Sequence, residues 1–68
     1  MTSSLGTEYP VQQARVRALI TRYRALPDGA GNIGAMLMED TLKRADAAAI
    51  SGDLLGMITS FKEMETCE

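Results

Sequence analysis

The residues best equipped for chemistry are four arginines, Arg15, Arg17, Arg22 and Arg24, with Tyr9 and Tyr23 on the same segment. Guanidinium forks grip phosphates and carboxylates bidentately and stack on flat rings, and tyrosines offer stacking surfaces of their own. The segment carries no acid after Glu8, whereas from Asp28 onward three bases stand against eight acids. Two readings follow. The arginines and tyrosines line a site for an anionic nucleotide, or the arginines border the core, bury their stems and pair with acids of the same or a neighbouring subunit.

Other chemistries lack their parts. With no histidine and one cysteine, Cys67, the chain has neither a zinc ligand set nor an internal disulfide, and no imidazole to shuttle protons. Nothing near Cys67 would lower its pKa, which reads as a bystander thiol. Gly29, Gly31 and Gly34 precede a helix, but no strand leads into them and no P-loop lysine follows, so they read as a turn. Glu39, Asp40 and Asp46 lie along one solvated face. The expectation is a chain that is not an enzyme, with no catalytic residue, no metal and no cofactor. No apolar run is long enough to span a membrane, and MTSSLGTEYP lacks the basic and apolar regions of a signal peptide. A cytoplasmic location is expected.

The elements that must position these side chains are helical. The 68 residues allow one small domain, 46% hydrophobic and 4% aromatic, with a net charge of −2. Aliphatic residues, methionine and nine alanines dominate, β-branched runs are absent, and an all-α fold follows. Residues 1–8 read as a flexible N-terminal tail, with Thr7 or Glu8 at the start of the first helix and Pro10 in its first turn. The domain is 9–68, with helices over about 10–26, 33–49 and 53–66. Pro27 ends the first, PDGAGN is the turn, Asn32 caps the second, and Gly52 with Ser51 or Asp53 makes the next junction. The expected architecture is a small three-helix bundle, or a helical hairpin with a third helix across it.

Apolar stripes give each helix an inner face. Tyr9, Val16, Leu19, Ile20 and Tyr23 align on the first, with Ala14, Ala18 and Ala25 opposite. Met38, Leu42, Ala45 and Ala49 align on the second, extended by Ile33 and Leu37, and Leu54, Met57, Ile58, Phe61 and Met64 on the third. Three short helices cannot cover one another fully, so a homo-oligomer is expected, a dimer above other forms. Met36, Met38, Met57, Phe61 and Met64 are its candidate interface, against the alternative that the methionines simply fill the core.

Ala48, Gly52 and Ile58 also match helix-turn-helix spacing. Asp53 stands where an apolar residue usually follows the glycine, and the would-be reading helix offers one base, Lys62, before Glu65 and Glu68. Such a helix repels a phosphate backbone, so DNA is a disfavoured partner.

The Tyr-led first helix, the glycine-rich stretch from Gly29 to Met36, the run RADAAAISGD (Arg44 to Asp53) and the ending SFKEMETCE resemble small uncharacterised proteins of tailed bacteriophages and prophages. The resemblance implies a phage-encoded accessory protein in a bacterial cytoplasm. Such a protein would act by binding, antagonising a host or defence protein or sequestering a nucleotide signal. The alternatives are a helix-turn-helix-like transcriptional regulator and a minor structural virion component.

Overall fold

The structure is a computed structural model that describes residues 5–68. Among these the chain is all helical: α1 (Leu5–Arg24), a short 3-10 turn (Pro27–Gly29), α2 (Asn32–Ser51) and α3 (Leu54–Glu65). The helices form a flattened bundle of 41 × 26 × 15 Å in which α2 packs on both α1 and α3, and these two touch each other less. Its radius of gyration is 12.6 Å, against about 11 Å for a compact domain of this length. The short dimension is close to one helix with its side chains, so one broad side of α2 stays uncovered.

α1 starts earlier than the sequence suggests. Leu5 to Glu8, read as part of a tail, are helical, because Leu5 packs on the core and draws an extra turn into the helix. The rest of the expected tail, residues 1–4, lies outside the described residues. Pro10 therefore sits inside α1 rather than in its first turn. It removes the bond to the carbonyl four residues back, on exposed Gly6, which water can satisfy. The helix ends at Arg24, two residues short of the expected end. Pro27 forces Leu26 into an extended conformation (φ −66°, ψ 141°), which no helix accommodates.

Three glycines let α1 and α2 meet. A Cβ on buried Gly31 would lie 2.1 Å from the Tyr23 carbonyl oxygen, and one on Gly34 would lie 2.8 Å from the Tyr23 ring. Gly29 takes φ +70° beside Asp28, at φ 59°. The glycine-rich run is thus a close-packing device. It also displaces the expected cap: Gly31, not Asn32, is the residue before the first turn of α2, with no side-chain cap, and its carbonyl accepts from the Ala35 N–H at 2.9 Å.

At the other end of α2, Gly52 adopts a left-handed conformation (φ 70°, ψ 25°). Its N–H reaches the Ala49 carbonyl and that of Asp53 the Ala48 carbonyl, the paired bonds of a Schellman termination. Asp53 then caps α3, accepting from the Gly56 N–H at 3.1 Å.

The core is Tyr9, Val16 and Ile20 from α1, Ala35, Met38, Leu42, Ala45 and Ala48 from α2, and Met64 from α3, with Leu5, Leu19, Tyr23, Met57, Phe61 and Cys67 packed against it. The inner faces of α2 and α3 are turned from those the apolar spacing suggests. On α2, Ala48 is buried and Ala49 exposed, while Ile33 and Leu37 point outward. On α3, Ser60 is buried in place of Leu54 and Ile58. The reason is small side chains: a Cβ on Gly56 would stand 3.3 Å from the Ala48 Cβ, so α3 turns its smallest face to α2. Larger residues would hold the helices apart.

Candidate functional site

The six candidate binding residues of α1 fall into three environments. Tyr9 is core. It is 2% exposed, its ring stacks on Phe61 with centroids 6.4 Å apart, and its hydroxyl donates to the Ala45 carbonyl at 2.7 Å. Burial raises the phenol's pKa above its ordinary value, with the Ser60 hydroxyl opposing this and the Asp46 charge adding to it. It offers no stacking surface. Tyr23 is half-buried against Gly34, and its hydroxyl donates to the Glu68 carbonyl.

Arg15 holds the end of α3. Its guanidinium donates to the Cys67 carbonyl at 2.8 Å and to the Met64 carbonyl, while its Nε donates to Gln12 at 2.9 Å. A cation on the last carbonyls of a helix offsets their partial negative charge. Arg17 and Arg24 reach across to α2. Arg17 pairs with Asp46 at 2.9 Å, and the other oxygen of that carboxylate takes the Gln13 amide at 2.7 Å. Arg24 pairs with Glu39. Among the described residues Arg22 alone of the four has no ion-pair or hydrogen-bond partner, and it is exposed. The structure thus gives three of the four arginines partners within the chain and does not bring the four together.

The candidate interface residues also separate. Met38 and Met64 are buried and Met57 and Phe61 half-buried, all serving the core; only Met36 stands free, 63% exposed.

Two grooves lie between the helices. One, of about 600 Å³, runs between α2 and α3 over Ala47, Ala48, Ser51, Gly56 and Thr59, with Arg44 and Glu63, paired at 3.3 Å, also in its lining. The other, of about 240 Å³, lies between α1 and α2, with Arg17 and Asp46 already paired in its wall. Arg44, Asp53 and Glu63 are among the residues lining the first, and Arg17, Glu39, Lys43 and Asp46 among those lining the second. Among the described residues no cluster of metal-binding side chains occurs. Cys67 is half-buried; burial pushes its thiol pKa up, Arg15 opposes this and Glu63 reinforces it, so the sulfur is a poor nucleophile. Among the described residues no helix is long and apolar enough to cross a membrane.

What sequence reasoning missed is the apolar surface that faces outward. Leu54, Leu55 and Ile58 form a patch on α3 that no other helix covers, with Leu55 78% exposed. The signal was present: adjacent leucines ahead of Gly56 cannot both face one partner helix. The would-be reading helix of the helix-turn-helix interpretation therefore presents leucines and isoleucine outward, with Lys62 its only base.

No family model, curated protein or solved structure matches this chain.

Proposed function

We propose that this chain is a non-enzymatic binding protein that captures a protein partner through exposed apolar surface. In this reading it is a phage-type accessory factor that antagonises a host or defence protein in a bacterial cytoplasm. The observation that carries the reading is the outward-facing patch of Leu54, Leu55 and Ile58 on a helix whose other side already completes the core. Contiguous exposed apolar surface on so small a domain marks an interaction site. Asp53 precedes the patch and Lys62 and Glu65 follow it, so the complementary partner is an apolar segment with charged flanks of both signs.

The nucleotide-sequestration alternative draws less support, because Arg15, Arg17 and Arg24 each donate to groups of the chain itself. A transcriptional regulator is disfavoured by the same α3 helix, on which the one base, Lys62, is followed by Glu63 and Glu65.

The test is quantitative capture from bacterial lysate with the wild-type chain, Leu55→Glu and Arg22→Ala. The expected result is a stoichiometric protein retained at moderate salt, lost with Leu55→Glu and kept with Arg22→Ala. Capture that survives Leu55→Glu but fails with Arg22→Ala would overturn the reading in favour of an anionic ligand.

A further inference from the structure

α2 carries a second row of side chains that the fold does not use. Ile33, Met36, Asp40, Lys43, Ala47 and Ile50 follow one another at alternating steps of three and four, and all are exposed, Ile33 to 73% and Ile50 to 88%. This is the a/d spacing of a coiled-coil seam, which drifts slowly around the helix and favours a left-handed crossing. Apolar residues occupy its two ends and opposite charges its middle.

The order of those residues is self-complementary in one direction only. Turn a second copy end over end, so that the two α2 helices run antiparallel with the twofold between Thr41 and Leu42. Ile33 of each copy then meets Ile50 of the other, Met36 meets Ala47, and Asp40 meets Lys43, each contact occurring twice. A parallel pairing would instead set Asp40 on Asp40 and Lys43 on Lys43, which like-charge repulsion opposes. We propose that the outer face of α2 is an antiparallel seam through which two copies of this chain dimerise.

Charge placement in the single chain fits this occupant. Lys43 has no ion-pair or hydrogen-bond partner among the described residues, and Asp40 uses only one carboxylate oxygen, on Arg44 at 2.8 Å. Glu39 and Asp46 flank the seam on the side of α1 and would face each other across it as like charges. Arg24 and Arg17 neutralise them. The two α1 arginines therefore serve the seam without entering it. The flattened bundle leaves this side of α2 open along its length, about 30 Å for twenty residues. The inference is independent of the partner taken by the α3 patch, since Leu54, Leu55 and Ile58 are not part of the seam.

Sedimentation equilibrium of the full chain, with circular dichroism to verify folding, tests this. The expected result is a dimer whose dissociation constant rises at least about tenfold in Asp40→Lys or Lys43→Asp and returns toward the wild-type value when both are combined. Cross-linking in a Cys67→Ser background fixes the direction. A mixture of Ile33→Cys and Ile50→Cys chains should cross-link, and neither alone should, because equivalent positions lie about 25 Å apart along an antiparallel pair. A monomer at all concentrations, failure of the double reversal to rescue, self-cross-linking of Ile33→Cys, or a dimer whose mixed cysteines do not link would each overturn it.

Discussion

The place where a side chain on Gly31 would begin is 2.1 Å from the backbone oxygen of Tyr23, so the end of α1 rests directly on the start of α2. No rotamer change can relieve that overlap, since the obstacle is backbone. Gly31→Ala is expected to destabilise the chain by about 3 kcal/mol or more, at the upper end of overpacking costs. Gly34→Ala should cost less, because the Tyr23 ring that it meets can swing away. Gly52→Ala, with open space but φ +70°, should cost about 1 kcal/mol. Urea unfolding of the three variants gives the order directly.

The Tyr9 hydroxyl ties α1 to the Ala45 carbonyl inside the core. Tyr9→Phe keeps the ring stack and removes the bond, for an expected loss of about 1 kcal/mol. The phenol also sets a pH response. Its pKa is raised in the fold, so the folded chain holds this proton more tightly than the unfolded one. The stabilisation is complete below the ordinary value of 10.0 and is lost as pH climbs from there through the raised value. Stability measured above pH 10 should fall, and the fall should be shallower in Tyr9→Phe.

Arg15→Ala should loosen the last turn of α3, because it removes the guanidinium donors from the Met64 and Cys67 carbonyls and leaves the Met64 carbonyl with its backbone bond from the Cys67 N–H. The expected cost is about 1–2 kcal/mol. Faster amide exchange should appear in Glu63 to Cys67 before anywhere in α2. Arg15→Lys should restore only part of the loss, since one ammonium cannot span both carbonyls as the fork does.

Cys67 should alkylate slowly at neutral pH, with a rate that rises only above the usual thiol range, because burial holds its pKa up. Unfolding in urea should abolish the protection. Rapid alkylation of the folded chain at neutral pH would show a thiol free of its contacts.

The helical class and both turns were legible because their signals are local. Pro27 stops α1, Gly52 terminates α2, and Asp53 caps α3, each through chemistry confined to a few residues. The facing of α2 and α3 was not legible, because it depends on how near two helices can come. Gly56, Ala48 and Ser60 carry little hydropathy and leave no mark on an apolar stripe, yet their small size decides which side of α3 turns inward. Apolar spacing therefore puts Leu54 and Ile58 on the inner face of α3, where the structure leaves them exposed. Tyr9 and Met38, on inner stripes by the same spacing, are buried and so offer no binding or interface surface. The arginines illustrate a different limit. Their number and segment were plain in the sequence, but whether Arg17 and Arg24 are free depends on Asp46 and Glu39, which lie on another helix.

The most direct measurement is native mass spectrometry of the chain purified gently from bacterial lysate, wild type beside Leu55→Glu. The expected spectrum of the wild type shows a stoichiometric protein partner and no retained small adduct, and the Leu55→Glu spectrum shows the chain without that partner. A small stoichiometric adduct on both proteins, lost on Arg22→Ala, would contradict capture through the apolar patch.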